Sequence, residues 1–439
     1  MDRLIFLELN EVNFEFVQRY GRAGKLPALN RLIQEHGLSE TTSEAAYEDW
    51  EPWIQWVTAH TGKTLAQHGV FRLGDITRTG HEQIWERLER EGLSVGALSP
   101  MNAAHRLKSP AFFLPDPWTQ TSMTAPPLMT SLYKALAEAV NGNATGRLSL
   151  RTVAMLLVGL ARFARPANYH VYVGLAVRSL RRPWLRAVFL DVLLGDLFLH
   201  LLKKTKPDFA TAFFNAAAHV QHHYMFSSSA YEGEARNPSW YVTPGADPLL
   251  AAYEVYDRLV QTLRDRWPDA RLMIATGLHQ VPHEKDTYYW RLKHHEAFLK
   301  DAAVPFVRVE PLMSRDFVIV CESAAQALEA EHQLGMLRSE DGQALFAVDN
   351  RGADLFVELV YDANIPADAG WRVGNLHREG LRDQVAFVAI KNGEHDGVGY
   401  FADSGLPAGS DRRFPLTDIP DVIAAACGVS PGGELRGAA

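Results

Sequence analysis

Short apolar runs recur along the chain at residues 3–9, 93–98, 208–214, 271–276 and 384–390. Their length fits strands buried on both faces. Between them apolar residues return every three or four positions. Leu26, Leu29, Leu32 and Ile33 mark a helix over about 14–37, and Leu250, Tyr253, Val255, Leu259 and Leu263 mark another over 249–266. Residues 50–62 read as an apolar helix ended by Gly62, and 81–91 as a charged one. This alternation of strand and helix predicts an α/β fold with a mostly parallel sheet.

Two stretches break the pattern. Residues 120–206 are rich in Leu, Ala and Arg and read as a helical insertion or cap. Residues 304–375 alternate strand (317–320), helix (324–337) and strands (344–348, 355–360), the order of a small α+β subdomain. The core then comprises 1–119, 207–303 and 376–430, closing with a helix at 419–427.

Composition narrows the class. The 439 residues are 47% hydrophobic, enough for a large core and too apolar for a disordered chain. Two cysteines, Cys321 and Cys427, exclude a disulfide scaffold. A formal charge of −8 argues against a nucleic-acid binder, which needs a basic face. The first apolar run begins at once, with no basic leader before it, so the cytoplasm is the expected location. The run at 153–161 is too short to span a bilayer, and the one at 188–202 carries Asp191 and Asp196, so no transmembrane segment is expected. Arg162, Arg165, Arg178, Arg181, Arg182 and Arg186 flank these runs and leave peripheral membrane contact open.

Candidate chemistry gathers just after the predicted strands, where α/β folds assemble their sites. His219, His222 and His223 follow the 208–214 strand. On a helix, His219 shares a face with His222 or His223, and imidazole is a common metal ligand. A polar helix face is the equally weighted alternative. His395 follows the 384–390 strand between Gly393 and Gly397, in a stretch that also reads as a plain turn. His279 lies beyond the 271–276 strand, His68 beyond Thr61-Gly62, and Glu8, Asn10 and Glu11 at the end of the first strand.

These segments, in this order, resemble the alkaline phosphatase superfamily, which includes sulfatases, nucleotide pyrophosphatases/phosphodiesterases and cofactor-independent phosphoglycerate mutases. Thr61-Gly62 with His68-Gly69 is similar to the end of that family's nucleophile helix. Val220-Gln221-His222-His223-Tyr224 resembles its "D-R-V-Q-H" metal segment. Gly393-Glu394-His395 with Gly399 resembles its late "G-x-H-x-x-x-G", and Phe414-Pro415-Leu416-Thr417-Asp418-Ile419 its closing segment. The resemblance implies an alkaline phosphatase-like α/β sandwich: a central, mostly parallel sheet with the helical insertion and the small α+β subdomain. It also implies metal-dependent hydrolysis or transfer on a phosphate ester, sulfate ester or phosphodiester.

The departures reshape that expectation. Asn10 stands where the family has Asp, and Glu51-Pro52 stands at the nucleophile slot. Thr276-Gly277-Leu278-His279 replaces "S-D-H-G", and Ala218 takes a ligand Asp slot. One of the family's two metal sites is thereby dismantled. The other keeps His222 and His395, with His219 as a stand-in for the Asp and His223 beside them. That set suits one zinc ion, with manganese or another late transition metal as alternatives. Glu8, Asn10, Glu51 and His279 are the candidate catalytic or orienting residues. The expected partner is a small or sugar-linked anionic molecule, met by cations such as Lys63, Arg72 and Arg351 or by Trp50, Trp53 and Trp56. Two rivals remain: a pseudoenzyme that binds an anionic or sugar ligand, and a metalloenzyme cleaving a bond without phosphorus.

Overall fold

The computed structural model describes residues 3–141, 149–312, 315–374 and 376–430. The chain divides into two compact units. One comprises Met1–Gly233, Val242–Val281 and Gly393–Ala439, the other Glu234–Tyr241 and Pro282–Asn392.

The first unit is built on eight strands: β1 (Leu4–Leu9), β2 (Ser39–Thr42), β3 (Val95–Leu98), β4 (Phe112–Leu114), β5 (Phe209–Phe214), β6 (Arg271–Ala275), β7 (Val398–Asp403) and β8 (Arg413–Pro415). Their order is β8-β2-β7-β6-β1-β5-β3-β4. β7 alone runs against its neighbours β6 and β2. The α/β architecture with a mostly parallel sheet is therefore the one the hydrophobic pattern predicts. β1 is central, pairing with β5 on one side and β6 on the other. Every residue of β1 is buried, because helices cover both faces of the sheet. Ile5, Leu7 and Leu9 join one hydrophobic core, and Leu4 and Phe6 the other.

Eight helices matter below: α1 (Phe14–Arg22), α2 (Pro52–Thr61), α3 (Pro127–Asn141), α4 (Leu150–Phe163), α5 (Tyr169–Ser179), α6 (Leu185–Thr205), α7 (Ala216–Tyr224) and α8 (Pro248–Arg266). α2 stops at Gly62, which takes φ 68° as a left-handed cap. Within 120–206 the described residues form α3 to α6 from Pro127 onward, and part of the stretch lies outside the described residues.

Three expectations change. The single helix over 14–37 is two, Phe14–Arg22 and Pro27–His36, because Pro27 disfavours helical geometry before it and Leu26 sits at φ 53°. The strand at 384–390 runs on through Asp396, so His395 lies on a strand and not in an open turn. His279 likewise opens a long strand, His279–Leu292.

The second unit holds an antiparallel sheet of Phe346–Asn350, Asp354–Leu359, Asp316–Val320 and Arg308–Pro311. Helix Ala324–Gly335 contributes Ala327, Ala330 and Leu334 to its core, which is filled by Trp290, Phe298, Phe317 and Trp371.

Candidate metal centre

Three strand ends and one helix meet at the carboxyl edge of the main sheet. β1 ends into Asn10 and Glu11, β6 into Thr276 and Gly277, and β5 into Asn215 and α7. The ladder holds these ends level: the Asn10 amide donates to the Phe214 carbonyl at 3.0 Å and the Glu11 amide to the Thr276 carbonyl at 3.1 Å.

Glu11 then does something unusual for its residue type. It adopts φ 59°, in the left-handed region, at a cost on the order of 1–2 kcal/mol. Its backbone is held there by Gln221, whose Nε2 donates to the Glu11 carbonyl at 2.7 Å, and by the Gln280 amide at 3.3 Å. Gln221 is itself fully buried, accepting from the Asn13 amide at 3.1 Å and from the Tyr253 hydroxyl.

Glu11, His222 and His395 converge. Glu11 Oε2 lies 3.2 Å from Nε2 of His222 and 3.2 Å from Nε2 of His395. The two imidazole centroids are 5.0 Å apart. Among the described residues this is the group of His, Cys, Asp and Glu side chains whose donor atoms close on one point, all within 4.8 Å. One buried carboxylate and two imidazoles form a donor set of the kind that holds zinc. His222 is about one-third exposed and Glu11 hardly at all, so the group opens to solvent on the histidine side.

The carboxylate is tightly oriented. Asn10 Nδ2 donates to Oε1 at 2.9 Å, and Gln280 Nε2 donates to Oε2 and to the Ala218 carbonyl. Asn10 is in turn held by Trp56, whose Nε1 donates to Asn10 Oδ1 at 2.7 Å, and by Asn215 at 2.7 Å. Gly393 makes room for all this. A Cβ there would come within 2.2 Å of Gln280 Oε1 and 2.9 Å of the Gln221 carbonyl.

Charge follows from this packing. Burial works to raise the Glu11 pKa, but the His395 and His222 imidazoles outweigh it and hold the carboxyl well below its usual range. Burial alone would lower His395. The Glu11 carboxylate, Glu51 and a hydrogen bond to the Trp50 backbone raise it instead. Glu51, the residue before α2, is raised, mainly by burial and then by the Glu11 charge, with the histidines opposing.

The other candidate residues lie elsewhere. Glu8 is fully buried on the α2 side of β1, accepting from the Thr211 hydroxyl and lying 3.0 Å from His60 Nε2. His60 sits with its ring 4.7 Å from that of Trp85. His279 is buried, with Nδ1 donating to the Val398 carbonyl at 2.6 Å and 3.9 Å from Asp396. His219 is exposed on α7, its ring 5.3 Å from that of His223. The ring of His223 is 6.1 Å from that of His222, and neither His219 nor His223 joins the Glu11 group. Lys63 Nζ is 3.0 Å from His81, and Arg351 pairs with Asp349 in the second unit.

The sequence brings up Glu11 at the first strand end and Gln221 within the Val220–Tyr224 segment but assigns neither a role, and it does not single out Gln280. Glu11 stands beside Asn10, and a carboxylate just past a central strand was a usable signal. Gln221 fills the glutamine position of the "D-R-V-Q-H" segment, but a neutral amide acquires its role only through its partners, and Gln280 lies in no motif.

No family model matches the chain, and no curated protein does. Among solved structures it is similar to phosphonoacetate hydrolase from Sinorhizobium meliloti 1021 in complex with phosphonoacetate, at 14% identity and a TM-score of 0.45, over 97% of this chain and 96% of that one. It is similar to murine ectonucleotide pyrophosphatase / phosphodiesterase 5 at 10% identity and 0.45, over 98% and 96%. It is also similar to the alkaline phosphatase PafA at 11% identity and 0.47, over 98% and 97%.

Proposed function

We propose that the chain is a hydrolase of small phosphate, phosphonate or sulfate esters built around one divalent metal, held by Glu11, His222 and His395. The observation that carries this reading is the convergence of one buried carboxylate oxygen and two imidazole nitrogens from three distant segments. An ion of the zinc type held there would supply Lewis acidity and would lower the pKa of a water. The remaining work falls to the chain. Asn10 and Gln280 fix the Glu11 carboxylate, and the Trp50 backbone orients His395. Glu51, with its raised pKa and its place beside the three donors, is suited to hold and move a proton. It caps the start of α2, where the resemblance puts a hydroxyl or thiol nucleophile. A covalent route is thus disfavoured and attack by water favoured.

A second reading has its own observation. Glu11 already satisfies both imidazoles directly, as a buried ion pair would. In that case the group is structural and the chain a non-catalytic binder.

Elemental analysis of the purified chain, before and after zinc or manganese loading, separates the two. Roughly one bound ion per chain, lost in Glu11→Gln, His222→Ala and His395→Ala together with turnover of aryl phosphodiesters, phosphonates or sulfates, supports the hydrolase. No bound metal after loading sinks it.

A further inference from the structure

The helical block of the first unit carries a charge pattern unlike the rest of the chain. From residue 139 to 190 there is no Asp or Glu, while eight arginines occur, in a chain whose formal charge is −8. Among the described residues no helix is long and apolar enough to cross a membrane.

Two helices of this block show apolar side chains to solvent. An ordinary surface helix buries its apolar stripe and presents polar groups. α4 buries Thr152, Gly159 and Phe163. Its exposed face carries Leu150, Val153 and Leu157, at 90%, 39% and 62% exposure. α5 buries Tyr172 and Leu175 and exposes Val173 and Val177, at 65% and 63%, and Leu180, which caps it, is 82% exposed on the same stripe. In both helices the exposed residues recur at helical spacing, so each forms a stripe. Both helices contact α6. Arg151, Arg162, Arg178, Arg181 and Arg186 are exposed around the stripes.

We propose that α4 and α5 seat this chain on an anionic phospholipid surface. Apolar side chains at this exposure are stabilised by entering the boundary between headgroups and acyl chains. The surrounding guanidiniums meet lipid phosphates without any acidic neighbour in the segment to repel them. A second copy of the chain would bury the same apolar stripes, but over residues 138–190 eight arginines stand against one acid, Glu138 beside Arg151, so the face stays strongly basic and repels its own copy.

Co-sedimentation of the full chain with vesicles tests the idea. Binding to phosphatidylcholine vesicles containing phosphatidylglycerol should exceed binding to pure phosphatidylcholine by about tenfold or more, and fall as salt is raised. Leu157→Asp with Val177→Asp should reduce it about tenfold, as should Arg178→Glu with Arg181→Glu, with an unchanged thermal melt. The arginine pair is fully informative should the apolar pair disturb folding. Equal binding to both vesicles, no binding, or binding unchanged in the arginine variant overturns the proposal. So does a dimer that Leu157→Asp dissociates while vesicles are ignored.

Discussion

Glu11 Oε2 and His395 Nε2 lie 3.2 Å apart although 384 residues separate them in the chain. The contact joins the first strand of the fold to nearly the last. It exists because β1 is central and the His395 strand returns toward the same sheet edge before β7 begins.

The hydrogen bonds behind Glu11 should tune metal affinity. Gln280→Ala removes the donor to Oε2, and Asn10→Ala the donor to Oε1. Each is expected to weaken zinc binding about 10–100-fold while leaving all three ligands in place. Competition with a chromogenic chelator measures this directly. Affinity equal to that of the unaltered chain in both variants would show that the carboxylate needs no such support.

Gly393→Ala should damage the centre without touching a ligand. The new methyl would press on the Gln221 carbonyl, a backbone atom that cannot swing aside. The expected loss is about 1–3 kcal/mol of stability, together with weaker metal binding. Urea unfolding and chelator competition on the same protein give both quantities.

His60 and Glu8 form a buried pair beneath the site, with His60 and Glu8 both essentially inaccessible. His60→Ala leaves the Glu8 carboxylate without that partner, with Thr211 alone bonded to it. A loss of about 1–3 kcal/mol is expected in urea unfolding, the cost of a buried polar group left without its partner. Glu8→Leu with His60→Leu should recover much of it, since neither polar partner then remains buried without the other. A double variant no more stable than His60→Ala would contradict this account.

His68 predicts a pH dependence of stability. Its Nδ1 accepts from the Val70 amide at 3.0 Å, and Nε2 lies 3.2 Å from the Thr58 hydroxyl, so the ring is held neutral. Burial, helped by His81 and Lys63, lowers its pKa to about 4. The unfolded chain takes up the proton near pH 6.5 and the folded chain near 4. The stabilisation is therefore complete above about 6.5 and is lost as pH falls toward 4, on the order of 3 kcal/mol in all. His68→Asn should flatten the stability curve over that window. A curve as steep as that of the unaltered chain would assign the effect to other groups.

Much of the fold was legible because burial on both faces writes continuous apolar runs. Residues 3–9, 208–214 and 271–276 could scarcely be anything but central strands. The break of the 14–37 helix was harder to see, because helical periodicity continues across Gly24 and Pro27 while the backbone does not. The strand through His395 was harder still. Asn-Gly and Asp-Gly read locally as turns, and pairing in a long two-stranded ladder overrides that preference.

The site was legible in part. His222 and His395 stand out because imidazoles after strands are few and chemically suggestive. By itself the sequence determined that the fold is α/β, that the central strands are buried, and that polar groups collect after their carboxyl ends, since apolar periodicity and strand-end chemistry are local properties. Only the tertiary structure decided which of those groups meet. A helix face could have offered His219 or His223 beside His222, since spacing alone treats them alike. The left-handed turn at Glu11, the amide brackets of Gln221 and Gln280, and the clearance at Gly393 bring the carboxylate to His222 and His395, and those are properties of strand register and packing between segments hundreds of residues apart.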